Sequence, residues 1–210
     1  MCGRYVLFST LEQLSADMRR RLQAKRVLRA GEGEWPANYN VAPTTQVPIL
    51  REFKGEAAIG PANWGYPPKN VFNARGETAL SKPLFAGSLP CAFPMDGWYE
   101  WTVGDDGKKQ PWFTTAPDGQ PMYAAGLCKA VDGQLYGTII TVAALPELEW
   151  LHSRMPRILV ADELGTWLKG EGVEMVASPN KKTEVRSRKA DRKVGSVANN
   201  YPELVGMNRG

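Results

Sequence analysis

Cys2 stands directly behind the initiator methionine, the one place where a cysteine can become the first residue of the chain. Once Met1 is removed, this residue carries a free α-amine and a thiol on adjacent carbons. The pair can attack one aldehyde carbon twice and close a five-membered thiazolidine ring, because the second attack is intramolecular and has a large effective molarity. The type and position of Cys2 therefore predict covalent chemistry on an aldehyde.

A carboxylate lies among aromatic residues in the segment DGWYEW. Alternation along a strand would place Trp98 and Glu100 on one face and Tyr99 and Trp101 on the other. Aromatic neighbours take water away from a carboxylate, which raises its pKa and lets it exchange protons near neutrality. Glu100 is therefore a candidate acid/base group. The alternative is a glutamate at a strand edge whose carboxylate reaches solvent.

The segment FNARGET would project Asn73, Arg75 and Glu77 to one side if its backbone is extended. An asparagine amide can both donate and accept hydrogen bonds, and the planar fork of an arginine matches a pair of phosphate oxygens. These residue types suit a site that binds a phosphorylated substrate. A structural ion pair between Arg75 and Glu77 explains the segment nearly as well.

His152 is the single histidine of the chain and lies beside Arg154 in the segment LHSRMP. Histidine is the side chain whose ordinary pKa is poised for proton transfer at physiological pH, although a lone histidine is often structural. One histidine and three scattered cysteines do not have the spacing of a metal site, and no glycine-rich phosphate loop is present. We expect neither a metal nor a cofactor.

The 210 residues, 43% of them hydrophobic, are enough for one core, and we expect a single domain over residues 1–210. Cys2, Cys91 and Cys128 form no C-x-x-C pair, and the amino terminus has no apolar leader, which favours free thiols in the cytoplasm. No apolar run reaches the roughly 18 residues of a membrane helix. A net charge of +4 favours nucleic acid only weakly.

Apolar residues at helical spacing predict a helix near the amino terminus; they are Leu11, Leu14, Met18 and Leu22. Ser9 and Glu12 are spaced as its capping box, and Gly31 is its expected stop. The basic residues in its second half favour a solvated face over a phosphate site. A second helix is expected at ADELGTWLKG, and PELEWLHSRMP should begin with a short helical turn.

Three Asp-Gly turns punctuate the middle of the chain, in the segments DDGKK, APDGQ and VDGQ. Asp-Gly tolerates the positive φ of tight hairpins, so these turns predict an antiparallel meander. The polar and basic segment after residue 180 should wrap the surface or fray. Together these features predict an α+β fold, one compact domain with a strongly curved or barrel-like antiparallel sheet and a few flanking helices.

Seven segments resemble the SOS-response-associated peptidase (SRAP) family in order and at compatible spacing: MCGRY, YNVAPTT, NWGY, FNARGET, CAFPMDGWYEW, TVAA and LHSRMP. The resemblance implies an SRAP-like fold with a sheet-walled, positively charged cleft that senses abasic sites in single-stranded DNA. It also implies loss of Met1, apparently by autoproteolysis, followed by a covalent crosslink between DNA and the new terminal cysteine. Reversal of the crosslink is a further activity that the resemblance allows.

The resemblance also implies roles for individual residues. Cys2 would be the crosslinking nucleophile, with Asn73 as its positioning partner. Glu100 would be the acid/base carboxylate and His152 a second proton donor or acceptor.

The resemblance also implies that five further residues contact DNA: Arg4, Arg75, Arg154, Trp64 and Pro43. The arginines would hold phosphates, whereas Trp64 and Pro43 would stack on or wedge bases beside the lesion. One departure from the family pattern affects that last role, because only PPKNVF separates Tyr66 from Asn73. Family members commonly carry extra residues there, tryptophans included.

Two other functions and one structural role for Cys2 remain open from the sequence. An amidohydrolase of the N-terminal-nucleophile type would use the Cys2 thiolate with its own α-amine as base. A non-catalytic module could bind single strands through basic and aromatic residues alone. Cys2 could also be a core cysteine. The expected partner is single-stranded DNA with abasic sites, bound by a cytoplasmic monomer that has no membrane contact.

Overall fold

A computed structural model of the chain describes residues 2–30, 35–180 and 183–206. Its helices within those ranges are α1 (Leu11–Leu22), α2 (Gly76–Ala79) and α3 (Ala161–Leu168). Short 3-10 turns cover Pro83–Phe85, Pro146–Leu148, Val173–Ala177, Arg192–Gly195 and Pro202–Val205. The helix expected at ADELGTWLKG and the turn expected at PELEWLHSRMP are both confirmed. None of the described helices is long and apolar enough to cross a membrane.

Strands make up most of the remaining regular structure. In chain order they are β1 (Tyr5–Leu7), β2 (Leu28–Arg29), β3 (Asn38–Val41), β4 (Gln46–Phe53), β5 (Glu56–Trp64), β6 (Asn73–Arg75), β7 (Leu89–Met95), β8 (Gly97–Val103), β9 (Lys109–Thr115), β10 (Met122–Val131), β11 (Gln134–Ala143), β12 (Arg154–Pro156) and β13 (Arg186–Lys189).

The larger sheet closes on itself. Its strands follow the order β12-β11-β10-β7-β4-β5-β2, and β5 also pairs with β11, which joins the two sides of the sheet. Closure removes free strand edges from this part of the fold. The expected curved, barrel-like sheet in an α+β fold is therefore confirmed. The sheet is not purely antiparallel, because β5 and β6 run parallel to β11 and β2 runs parallel to β5.

The smaller sheet has the order β13-β9-β8-β1-β3 and carries the amino terminus. Strand β1 is an interior strand and lies antiparallel to both β8 and β3. Trp98 faces the main hydrophobic core, whereas Tyr99 belongs to a second cluster with Val6, Phe113 and Val194. The expected alternation along DGWYEW is thus present, and it points Glu100 toward the same face as Trp98.

The expected meander is only partly correct. Asp132 and Gly133 both have positive φ and join β10 to β11 in a two-residue hairpin. The DDGKK turn likewise joins β8 to β9. The APDGQ segment, however, is not a hairpin, because β9 belongs to the smaller sheet and β10 to the larger one. This turn passes the chain from one sheet to the other.

The amino-terminal helix begins one residue later than its expected cap. Thr10 caps α1 by accepting from the Gln13 amide, and the Gln13 side chain accepts from the Thr10 amide in return. Ser9 donates instead to Asp96, whose carboxylate also accepts from the Phe8 and Ser9 amides. The tertiary partner outcompetes the local cap at Ser9. The helix ends at Leu22, well before Gly31, which lies outside the described residues.

The polar segment near the carboxyl terminus adds a strand rather than fraying. Residues of β13 pair with β9 along the edge of the smaller sheet, from Arg186 opposite Thr115 to Lys189 opposite Trp112. After it, Asn40 donates to the carbonyl oxygens of Ser196 and Asn199 at 2.9 and 2.8 Å. Of the two expected outcomes, wrapping the surface or fraying, this segment therefore shows the first.

Glycine is required where two barrel strands face the Phe93 ring. A Cβ added at Gly137 would lie 2.7 Å from Cζ of Phe93, and one at Gly126 would lie 2.6 Å from Cε2. Both distances are far below van der Waals contact, and Phe93 is itself fully buried. The ring thus fills the space that the two missing side chains leave.

We predict that Gly137→Ala lowers the free energy of unfolding by about 1–3 kcal/mol, because the added methyl overpacks the barrel against Phe93. Urea denaturation measures the change. Gly195→Ala is the matched control, since nothing lies within 4 Å of a Cβ there. In the double variant with Phe93→Leu, part of the loss should return. An unchanged midpoint for Gly137→Ala would contradict the packing described here.

Candidate active site

The smaller sheet fixes the backbone that leads to Cys2. Tyr5 lies opposite Trp98, and the Tyr99 amide donates to the Arg4 carbonyl oxygen at 2.9 Å. Continuing this antiparallel register places Gly3 opposite Glu100. The residues just ahead of β1 therefore run alongside the candidate carboxylate, although the two segments are far apart in sequence.

Asn73 fixes Cys2 from the other sheet. Its Nδ2 donates to the Cys2 carbonyl oxygen at 2.8 Å. The strand that carries Asn73, β6, is held by its parallel pairing with β11, where Asn73 lies opposite Ile139. Among the described residues, Oδ1 of Asn73 is buried without a hydrogen-bond partner. The amide thus holds the Cys2 backbone with one end and keeps an acceptor available with the other.

The Glu100 side chain is buried, with only 4% of its surface exposed, so it is not the solvent-facing glutamate of the alternative interpretation. Burial raises the pKa of its carboxyl group to about 7, while the positive charge of the chain's amino group opposes the shift. A group with this pKa is part acid and part carboxylate at neutral pH. It can therefore both accept and return a proton.

The Cys2 side chain is fully buried and packs in the main core. Burial raises the pKa of its thiol above the ordinary value, and the nearby negative charge of Glu100 raises it further. The thiol is therefore protonated at neutral pH and needs a base before it can attack. Burial alone would also suit a core cysteine; the Asn73 contact and the neighbouring carboxylate are what set Cys2 apart.

His152 follows the Pro146–Leu148 turn and is half-buried. Its Nδ1 accepts from the Arg154 backbone amide at 2.9 Å, so the neutral ring carries its proton on Nε2. Burial lowers the pKa of the imidazole, and the positive charge of the amino terminus lowers it further. Cys2 and Glu100 lie within electrostatic reach of each other, since the charge of Glu100 raises the pKa of the thiol.

The alternative interpretation of FNARGET, a structural ion pair between Arg75 and Glu77, is wrong. The backbone leaves the extended conformation at Gly76, where α2 begins, and Glu77 is turned toward Arg154. Two parallel hydrogen bonds of 2.9 Å join the Arg154 guanidinium to the Glu77 carboxylate and lower the pKa of that carboxyl group. Arg154 also donates to the Thr141 carbonyl oxygen. Its guanidinium is thus largely committed inside the protein.

Of the three candidate arginines, Arg4, Arg75 and Arg154, Arg75 is the exposed one. It forms no ion pair with any described residue. Arg4, in contrast, donates from Nη1 to Asn40 Oδ1 at 2.7 Å and to the Val194 carbonyl oxygen at 2.8 Å. Burial lowers the pKa of Arg4. Arg75 is therefore better placed than Arg4 to meet a phosphate.

Trp64 cannot stack on a base, which corrects its expected role. It is fully buried, its Nε1 donates to the Phe72 carbonyl oxygen at 2.9 Å, and its ring meets Tyr5 edge to face at 5.1 Å. Trp64 instead supports the strand that leads to Cys2. Pro43 lies half-buried in the turn between β3 and β4, so it keeps some surface for a ligand.

The short loop after Tyr66 is tightly closed. The backbone groups of Tyr66 and Val71 exchange two hydrogen bonds of 3.1 and 2.9 Å, which leaves a narrow turn between them. No tryptophan is contained in this turn. This turn therefore offers no tryptophan for stacking on a base.

Sequence reasoning missed Trp112 and Trp150 as neighbours of this site. Trp112 lies directly opposite Glu100 across the β8–β9 pair, and Trp150 precedes His152 by two residues. Their rings meet edge to face with centroids 4.8 Å apart. The nearness of Trp150 to His152 in the chain was an available signal, but its contact with Trp112 exists only in the folded protein.

Comparison with known proteins identifies the family. The family model for SOS response associated peptidase (SRAP) matches residues 1–197. The chain belongs to the SRAP family. The resemblance stated from its motifs is thereby confirmed.

Individual SRAP relatives are similar over 80% or more of this chain. The abasic site processing protein YedK of Escherichia coli is 32% identical over 231 residues, covering 98% of this chain and 99% of its own. The abasic site processing protein HMCES of Gallus gallus is 28% identical and covers 80% of this chain and 65% of its own. A crystal structure from Bacteroides thetaiotaomicron has a TM-score of 0.76 at 19% identity, over 99% of this chain and 100% of that one, which shows a shared fold.

The burial of Glu100 predicts a cost in stability. A carboxyl group that titrates at about 7 in the folded chain and at about 4.5 when unfolded destabilises the fold as it ionises, by about 3 kcal/mol above pH 7. We therefore predict that Glu100→Gln unfolds at a higher denaturant midpoint than the parent at pH 8. At pH 4, where both forms are neutral, the difference should vanish.

Denaturant unfolding at the two pH values measures this change. Glu149→Gln, at an exposed position, is the control and should shift neither midpoint. Equal midpoints of Glu100→Gln and the parent at pH 8 would show that the carboxyl group is not held in a buried, destabilising environment.

Proposed function

We propose that this protein captures abasic sites in single-stranded DNA by forming a thiazolidine between the deoxyribose aldehyde and Cys2, after Met1 has been removed. The arrangement that carries the proposal is the junction of the two sheets, where Asn73 holds the Cys2 backbone beside the buried Glu100 carboxyl. The names of YedK and HMCES as abasic site processing proteins support it. The protein acts as a monomer in this proposal.

An abasic deoxyribose equilibrates with a ring-opened aldehyde, an electrophile that intact DNA lacks. The Cys2 α-amine has an ordinary pKa near 7.7–8.0, so it is substantially neutral at cellular pH. It adds to the aldehyde carbon and, with loss of water, forms an imine. The thiol then adds across the C=N bond, so that sulfur bonds to carbon and the thiol proton moves to nitrogen. No oxidant or cofactor is needed for either step.

Glu100 manages the protons of this sequence. The thiol pKa is raised, so the sulfur attacks only as a base removes its proton, and a carboxylate with a pKa of about 7 is suited to do so. The resulting carboxylic acid can later return its proton to the ring nitrogen or sulfur. The same group thus supports formation of the adduct and its reversal.

His152 assists the opening of the sugar ring in this mechanism. Its imidazole is neutral at pH 7 because its pKa is lowered, and its Nε2 carries the proton. A neutral ring does not repel the α-amine of Cys2, and it can exchange a proton with the hydroxyl of the closed sugar.

Phosphate contacts supply affinity that does not depend on sequence. Arg75 is the foremost candidate because its exposed guanidinium follows Asn73 by two residues. Arg4 and Arg154 are paired with Asn40 and Glu77 inside the protein, which leaves little of either guanidinium group for a phosphate. Pro43 contacts the neighbouring base edge or sugar.

The N-terminal-nucleophile hydrolase is the competing enzyme. It would use the same Cys2 with its own amine as base, and the family description as a peptidase is its support. In our proposal, the Met1–Cys2 bond is the only amide that the protein must lose. Turnover of added peptide amides in the absence of DNA would favour the hydrolase.

We predict that Met1-free protein forms a denaturation-resistant complex with a single strand that bears one abasic site, and that Cys2→Ala forms none. Gel shift under denaturing conditions detects the complex, and intact mass confirms both the terminus and the added strand. Cys128→Ala, which removes a buried cysteine far along the chain, should leave the complex intact. A complex of equal yield with Cys2→Ala would refute the assignment.

The crosslinking rate should rise with pH through about 7, because Glu100 acts as a base only after it has lost its proton. A second rise near pH 8 is expected from the α-amine. Single-turnover rates between pH 5.5 and 9 measure both steps. Glu100→Gln should lose the step near 7 and keep the later one. A Glu100→Gln profile with an unchanged step near 7 would remove Glu100 from this role.

A further inference from the structure

Trp112 and Trp150 form an exposed aromatic corner beside the candidate active site. Their rings meet edge to face at an interplanar angle of 82°. Trp150 is 53% exposed, the largest exposed fraction among the described tryptophans, whereas Trp64, Trp98 and Trp167 are buried. A large indole held at the surface is unfavourable in water and is typical of a binding site.

Both indole rings are fixed in place. Nε1 of Trp112 donates to Thr102 Oγ1 at 2.9 Å, and Nε1 of Trp150 donates to the Glu147 carbonyl oxygen at 2.9 Å. These bonds satisfy both indole N–H groups within the protein. The corner can therefore offer a ligand its π faces and apolar edges, but no hydrogen-bond donor.

The aromatic corner lies in the same row of side chains across the smaller sheet as Glu100, the candidate acid/base residue. Trp112 pairs with Glu100 on one side and with Lys189 on the other, so these side chains project from the same face of the smaller sheet. Trp150 reaches this row from the segment that ends in His152. Trp112 thus lies beside Glu100 on the neighbouring strand, and Trp150 lies two residues before His152 in the chain.

Lys189 adds a positive charge to the same surface. It is exposed, and its Nζ lies 5.8 Å from the centroid of the Trp112 ring. A π face with an ammonium group beside it matches a nucleotide, whose base stacks while its phosphate meets the cation.

We propose that Trp112, Trp150 and Lys189 form a subsite for one nucleotide adjacent to the abasic site, with its base stacked on the Trp150 ring. This subsite rests on the proposed function, since it places the unmodified part of the same strand. Because both indole N–H groups are already bonded, the subsite reads the presence of a base and not its identity. It supplies the stacking surface that the short Tyr66–Asn73 loop lacks.

The test combines a protein change with a substrate change. Crosslinking rates are measured against DNA concentration for the parent and for Trp150→Ala. The substrates are single strands with one abasic site, flanked by normal nucleotides or by tetrahydrofuran spacers, which lack a base, on the 5′ side or on the 3′ side. Stacking of one base is worth about 1–3 kcal/mol, which converts to a roughly 5- to 150-fold change in half-saturating concentration.

For the parent, spacers on one of the two sides should raise the half-saturating DNA concentration at least about fivefold. For Trp150→Ala, normal DNA should already show that increase, and the same spacers should add nothing. The maximal rate should stay unchanged, because Trp150 does not contact the reacting atoms. Replacing the flanking base by any other of the four should have little effect on the parent.

Two further variants complete the experiment. Phe53→Ala removes an exposed aromatic side chain from the β4–β5 hairpin and should behave as the parent. Lys189→Gln should reduce the slope of log affinity against log salt by about 0.7, as expected for one phosphate contact on a single strand. Thermal unfolding of each variant controls for its fold.

The proposal is overturned if Trp150→Ala binds normal DNA as the parent does. It is also overturned if, on each side where spacers weaken the parent, they weaken Trp150→Ala to the same extent. Either result leaves the proposed function intact as long as the parent forms its Cys2-dependent crosslink. Failure of the parent to crosslink would instead refute the proposed function itself.

Discussion

The hydrogen bond from Asn73 to the Cys2 carbonyl oxygen joins the two sheets at the point where the chemistry is expected. Cys2 leads into the smaller sheet, and Asn73 begins a strand of the larger one. A chain terminus has only one covalent connection and would ordinarily fray. Here the pairing of β1 with β8 and β3 holds it from one side, and Asn73 holds it from the other. Every other element of the site depends on this fixed position.

Burial then sets the chemistry of the fixed terminus. Glu100 loses water because its strand packs against the core, and its pKa rises into the range where protons move at neutral pH. The same burial keeps the Cys2 thiol protonated and the His152 imidazole neutral. In the proposed mechanism, the amine is therefore the first nucleophile and the thiol the second. This order is the one that a thiazolidine requires, since the imine must exist before sulfur can close the ring.

The charged and aromatic residues divide into those that build the site and those that face a ligand. Arg4 joins the amino-terminal strand to Asn40 and Val194, and Arg154 is clamped by Glu77. Such paired cations hold the segments that carry Cys2 and His152 in place. Arg75 and Trp150 are exposed instead, so their side chains remain accessible to a ligand.

Local patterns in the sequence determined a large part of this result. Apolar spacing located α1, a second helix was expected at the segment that forms α3, and Asp-Gly located two hairpins. The position of Cys2 together with the aromatic setting of Glu100 indicated the chemistry. These signals work because they depend on residues within a few positions of one another. The motifs that resemble SRAP proteins were likewise visible in the chain and were sufficient to identify the family.

The tertiary structure alone decided which distant groups meet. In the folded protein, Ser9 donates a hydrogen bond to Asp96, and Thr10 caps the helix instead. Glu77 pairs with Arg154 and not with Arg75. Trp64 is buried, whereas Trp150 is exposed. In each case two or more partners or environments were chemically acceptable for the side chain. The observed one is the one that the packing of the sheets brought near. Residue type states what a side chain can do; only the packing of the two sheets determines what it touches and how much water it keeps.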